Sequence, residues 1–252
     1  MKRLLGLLAG ASLALAIGCA QPYDVRISDT IEWLKYKRDL GKNTEQPPAG
    51  SSSLGTAKVY IRAPKGLAMA KTFGFVLEPG KFDSSESFLA SEKQTSLHIL
   101  ARSNAPKATT KKAPGPPGAP PKQPGEEPPP QAVRAEFTAD VLDFIKAAYS
   151  TDLEASQLKD YKAPSHGRSS VPYKRAVLDL GDKQVQVYFH GDKNSPAQVA
   201  LVFEGTKDAL SKISTQIDYS LTSLRIGPAA TNLYNGGDEM SGEEAQAPAG
   251  VF

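Results

Sequence analysis

In "KQVQVYFH", residues 183–190, apolar and polar side chains alternate. Val185, Val187 and Phe189 point one way, and Gln184, Gln186, Tyr188 and His190 the other. A period of two predicts a strand with one covered and one half-exposed face. Two more strands flank it, "YKRAVLDL" at 173–180 and "AQVALVFE" at 197–204. Gly181-Asp182 turns the first into the second, and Gly191 to Pro196 the second into the third, so an antiparallel meander is expected. Upstream, "KVYIRAP" (58–64) alternates Val59, Ile61 and Ala63 against Tyr60 and Arg62, "TFGFVLE" (72–78) is a second strand candidate, and "SLHILARS" (96–103) is a third with Leu97, Ile99 and Ala101 on one face. The period changes to helical in "FTADVLDFIKAAYS" (137–150), where Val141, Leu142, Ile145, Ala148 and Tyr149 recur at helical spacing behind a Thr138 cap. "TKDALSKISTQIDYSLTSL" (206–224) places Leu210, Ile213, Ile217 and Leu221 on one stripe, started by Gly205 or Thr206 and ended at Gly227-Pro228. A charge-rich helix is predicted at 28–40, capped by Ser28 or Asp29 and stopped by Gly41. Its apolar residues include Ile31, Trp33 and Leu34.

Ten of the twenty prolines fall in 104–132, a stretch without aromatic or large aliphatic residues. Such a segment buries too little apolar surface to offset the entropy of ordering, so an extended, disordered tract biased toward polyproline II is expected. The tail at 228–252 has a similar character and is acidic, and residues 42–57 read as a linker. The tract either joins two domains or interrupts one. Each half alone is small and would bury its surface poorly. The half before the tract also has only a charge-rich helix to cover its strands. One domain over 58–227 is therefore the expectation, preceded by residues 19–57 as anchor, short helix and linker.

The first twenty residues, "MKRLLGLLAGASLALAIGCA", have a basic start at Lys2 and Arg3 and an apolar run from Leu4 to Ile17. That run is the length of a signal-peptide core and short of a bilayer span. The stretch Ala16-Ile17-Gly18-Cys19 resembles a bacterial lipobox, with Leu15 one place earlier than the pattern's leucine. The resemblance implies removal of 1–18 as a signal peptide, cleavage between Gly18 and Cys19, and a diacylglyceryl group on the Cys19 thiol. Two or three acyl chains would then hold the protein on the membrane. Ala20 and Gln21 in place of Asp resemble outer-membrane sorting, facing the periplasm. Removing Lys2 and Arg3 leaves 28 basic against 27 acidic residues, a near-neutral chain with no call on nucleic acid. Cys19 is the single cysteine, so no disulfide can staple the folded part.

The order of elements, with "VYIRAPKGL" at 59–67 and "AQVALVFEGTKDALSKISTQIDYSLTSLRI" at 197–226, resembles the PsbP-like α/β sandwich. That implies an α+β fold, mainly antiparallel sheet covered by two or more helices, with the proline-rich tract as an insertion. It also implies a non-enzymatic binding or assembly role, in which the tract serves as spacer or as ligand for a partner's aromatic groove.

Candidate chemistry is sparse. The histidines are His98, His166 and His190, none at metal-ligand spacing, and no GxSxG occurs. His98 and His190 are read as solvent-facing or edge-strand residues. His166, in the loop "APSHGRSSVP", with a nearby Asp is the alternative: a cleft for an envelope hydrolase or solute-binding lipoprotein. Asp179 and Asp182 at a hairpin read as turn chemistry, and "EGTKDA" offers only a weak anion site. Tyr60, Arg62, Tyr188 and Arg225 could decorate a nucleic-acid surface, which the charge balance disfavours. The expectation is therefore no catalytic residue, no metal and no cofactor. The membrane through Cys19 and an envelope protein are the expected partners.

Overall fold

The computed structural model describes residues 23–47, 52–92, 94–104, 136–165 and 170–237. The expected signal peptide, Gly18, Cys19, His166 and nearly all of the proline tract lie outside these residues.

In chain order the elements are α1 (Tyr23–Asn43), β1 (Thr44–Glu45), β2 (Val59–Tyr60), β3 (Ala63–Pro64), β4 (Leu67–Met69), β5 (Ser84–Ala90) and β6 (Thr95–Ser103). After the tract follow α2 (Phe137–Tyr149), β7 (Lys159–Lys162), β8 (Pro172–Leu180), β9 (Lys183–His190) and β10 (Ala197–Thr206). The last described elements are α3 (Lys207–Lys212), α4 (Ser214–Thr222), β11 (Arg225–Ile226) and α5 (Pro228–Tyr234). Seven strands form one antiparallel sheet in the order β4-β5-β6-β10-β9-β8-β7. The fold is thus α+β with a large antiparallel sheet. Its centre is the β6–β10 ladder, nine residue pairs from Ala197↔Ser103 to Gly205↔Thr95, which joins strands from either side of the proline tract.

The alternation sorts two cores. One face carries Leu97, Ile99, Tyr188, Leu201 and Phe203 against Leu210, Ile217 and Leu221 of α3 and α4. The other carries Leu100, Val185, Val187, Phe189, Ala200 and Val202 against Phe137, Val141, Phe144 and Ile145 of α2. The face read as half-exposed on β9 is therefore covered at Tyr188. The β8–β9 hairpin turns through two residues, with Gly181 at φ +70. A positive φ at the first central residue is the demand of a type II′ turn, which glycine meets without strain.

Three of the expected elements differ. "TFGFVLE" is not a strand: it arches over the α2 face, and the strand of that region is β5 instead. The Phe-Gly-Phe spacing imitates a period of two, but Phe73 and Phe75 both pack against the same core. "KVYIRAP" stays out of the main sheet. It splits into β2, paired with β11, and β3, paired with β1, and between them the Arg62 N–H donates to Ser223 Oγ (3.0 Å) while the Arg62 carbonyl accepts from Ser220 Oγ (2.6 Å). Those hydroxyls on and just after α4 satisfy the backbone groups that a strand would otherwise pair. The last long helix is kinked at Ile213 (φ −101, ψ 11), within a run of Ser, Thr and β-branched residues that favour helix weakly. In addition α1 begins at Tyr23, ahead of the expected Ser28 or Asp29 cap, and α5 continues order past Gly227-Pro228.

Candidate functional site

Antiparallel register places Ser87 of β5 opposite His98 of β6, and His98 opposite Val202 of β10. Ser96 and Glu204 form the next pair. These polar side chains share the α2 face. Ser87 Oγ lies 2.8 Å from His98 Nδ1, and Ser96 Oγ lies 3.0 Å from Nε2. Gly74 N–H also donates to Ser87 Oγ at 3.2 Å. In the neutral ring one nitrogen donates and the other accepts, and the two serine hydroxyls, each able to do either, satisfy both. Glu204 Oε2 stands 4.0 Å from Nε2 and accepts from Tyr149 OH at 3.2 Å; Lys183 Nζ donates to Oε1 at 3.0 Å.

Serine, imidazole and carboxylate in line are the parts of a nucleophile and its base. Their surroundings do not suit that work. His98 is 3% exposed and Ser87 1%. The rings of Phe73 and Phe75 stand edge-on to the imidazole, at 5.8 and 4.9 Å between centroids. Burial lowers the His98 pKa to about 4, against a smaller upward pull from Glu204. The arrangement is a satisfied buried network. His98 is thus neither solvent-facing nor on an edge strand: β6 is central, and the alternation of β6 turns its side chain inward.

The other candidates are dispersed. His190 points to the opposite face, its Nδ1 2.8 Å from the Pro172 carbonyl and its ring against Tyr173. Asp179 is exposed beside the hairpin, where it accepts from Gln184 and pairs with Lys207. Tyr60, Arg62 and Tyr188 are buried and offer no nucleic-acid surface. The "EGTKDA" turn is a helix cap, with Thr206 Oγ1 accepting from Ala209 N–H. Among the described residues no group of three or more His, Cys, Asp or Glu could hold a metal ion. No described helix is long and apolar enough to cross a membrane.

Where the arch meets α2, a cleft of about 340 Å³ opens. Phe75, Leu77 and Phe82 of the arch and Phe144, Ala147 and Ala148 of α2 make it apolar. Phe75 lines the cleft and also packs on the polar network, its ring meeting His98 and Tyr149 as well as Phe144. Val76, at the lip, is 100% exposed. One rim is charged. Lys81 Nζ lies 3.0 Å from Glu78, 3.4 Å from Asp143 and 3.5 Å from Asp140. These contacts, the Glu78 hydrogen bond foremost, raise the Lys81 pKa and keep it cationic. Beneath, Arg102 pairs with Asp140, both buried, and donates from Nε to the Lys81 carbonyl at 2.8 Å. That double contact pins the base of the arch to the sheet. The sequence reading missed this site because its residues lie in the misread strand and on the flank of α2.

No family model matches the chain, and no curated protein matches it. Among solved structures it is similar to cyanobacterial PsbP from Synechocystis sp. PCC 6803, at 10% identity over 73% of this chain and 93% of that one, with a TM-score of 0.39. It is similar to the Saccharomyces cerevisiae Ran-binding protein Mog1p, at 12% identity over 67% and 90%, with a TM-score of 0.35. A protein of Bacteroides thetaiotaomicron VPI-5482 gives 10% identity over 73% and 48%, with a TM-score of 0.35. At that level of superposition these likenesses carry no weight for function.

Proposed function

We propose that this chain is a membrane-anchored envelope lipoprotein, held through Cys19, whose folded part binds an envelope protein and catalyses nothing. The observation that carries the binding role is the cleft between the arch and α2. Its floor is apolar, its lip presents a fully exposed valine, and the polar groups nearest it are buried against Phe75 or engaged in ion pairs. An apolar cleft with few oriented polar groups suits an anchor side chain of a partner. Glu78 and Asp143, both well exposed on the rim, suit a basic residue next to that anchor.

A photo-reactive amino acid at Val76, incorporated in cells, tests the reading. The expected result is a discrete cross-linked product with one envelope protein, lost when Ala148→Arg fills the cleft. The same probe at Val177, exposed on β8, should give no such product. Equal labelling from both positions, or none from Val76, overturns the cleft as binding site. The non-catalytic part has its own check. His98→Gln should leave biological function within a few-fold of the parent chain, and a hundred-fold loss from a folded variant would restore the enzyme reading.

A further inference from the structure

Helix α1 docks by one side and leaves the opposite side bare. Tyr36 and Leu40 are buried, and the Tyr36 ring meets Tyr219 of α4 at 6.2 Å. Ile27, Ile31 and Leu34, at i, i+4 and i+7, share the other side. They are 41%, 47% and 54% exposed, among the few large apolar side chains so exposed in the described residues. Arg38, one further turn along, continues the stripe, and Lys35 and Lys37 flank it. Lys37 lies over the Trp33 ring at 4.6 Å, which holds its stem along the helix. The helix as a whole is only weakly amphipathic, because its docked side is also apolar, but this one face joins a short apolar line to flanking lysines, the two features that favour contact with a membrane interface.

The position in the chain agrees. Three residues, Ala20 to Pro22, separate Cys19 from Tyr23, where α1 begins, so four residue steps give a reach of at most roughly 14 Å. We propose that the outward face of α1 lies on the anionic surface of the bilayer that holds the lipidated Cys19, with Ile27, Ile31 and Leu34 among the headgroups and acyl-chain ends. This rests on the anchored reading above and adds an orientation to it. The docked side of α1 would then present α4, and through it the sheet, at a fixed attitude to the membrane. The basic fringe selects anionic lipid, because each cation near such a surface contributes favourably.

The full lipidated chain, purified from envelopes and reconstituted in phosphatidylethanolamine–phosphatidylglycerol vesicles, tests this. Trp33 is the single tryptophan, so Trp33→Phe makes a silent background. Into it goes either Leu34→Trp, on the proposed face, or Val177→Trp on β8 as control. Bilayers carrying brominated acyl chains should quench Leu34→Trp at least two-fold and leave Val177→Trp unchanged. Replacing phosphatidylglycerol by phosphatidylcholine should weaken that quenching. If the chain floats with the vesicles and the two probes are quenched alike, the orientation is wrong while the anchor stands. A blue-shifted but unquenched Leu34→Trp means that protein covers the face, a second copy included, and also overturns the proposal. If the chain does not float with vesicles, the anchored reading and the orientation built on it both fall.

Discussion

His98 shows how one buried ring couples stability to pH. An unperturbed imidazole titrates near 6.5; in the folded chain burial holds His98 at about 4. Between those values the unfolded chain binds a proton that the folded chain refuses. Stability therefore rises with pH across that window, and the His98 contribution is complete above about pH 6.5 and lost as pH falls toward 4. His190 is lowered by burial as well and adds a slope of the same sign. His98→Gln keeps a side chain able to bond Ser87 and Ser96 but removes the titration. Urea midpoints at pH 4.5 and 7 should differ less for the variant than for the parent, and an equal difference would show that His98 is not the source. The Arg102–Asp140 pair is a second residue-scale lever, since both members are buried. Asp140→Ala strands the guanidinium and should cost about 3–5 kcal/mol in denaturant unfolding. Arg102→Met with Asp140→Leu should recover most of that loss, because two apolar groups leave no charge uncompensated.

At the scale of elements, the turn from β9 to β10 is held by backbone geometry. Gly191 sits at φ +84, and a Cβ there would stand 2.5 Å from the Ala197 carbonyl oxygen, a contact that backbone cannot relieve cheaply. The rest of the turn is knotted by Asp192, whose Oδ1 accepts from the N–H groups of Asn194 and Ser195. Gly191→Ala should destabilise by about 1–3 kcal/mol, whereas Gly66→Ala, at φ +83 but with no atom within 4 Å, should cost less. Thermal melts of the two rank strain plus clash against strain alone. The β8-β9-β10 meander was legible in the sequence because its period of two coincides with its turns. So was α2, because one stripe meets one core. "KVYIRAP" and "TFGFVLE" were not, since alternation reports two-sided packing without saying whose hydrogen bonds the backbone takes. Ser220 and Ser223, more than 150 positions from Arg62, decide the first case. Phe73, Phe75 and Phe82 decide the second, by covering one face of the sheet instead of extending it. The cleft could not be read because it exists only where that arch meets α2.

At the scale of the molecule, the question is what the proline tract interrupts. β6 ends at Ser103 and pairs along its whole length with β10, which begins at Ala197. Asn104 then fastens the exit, its N–H to the Pro196 carbonyl and its side-chain amide to the carbonyls of Asp192 and Ser195. Split at the tract, each half would carry one partner of the central ladder. Fragment 20–103 would expose β6 with Leu97, Ile99 and Leu100, and fragment 133–237 would expose β10 with Val199, Leu201 and Phe203, all fully buried in the whole chain. An unpaired apolar edge of nine residues favours association over folding. Each fragment alone should therefore give no cooperative transition by calorimetry, and mixing them should restore one. Replacing 105–132 by a short Gly/Ser loop, with Asn104 kept, should preserve that single transition and raise its midpoint. Closure entropy falls by only about 0.6 kcal/mol per halving of loop length, so the gain should be a few degrees. Two independent transitions from the separated fragments would instead make the tract a linker between units and leave the β6–β10 ladder without an energetic role.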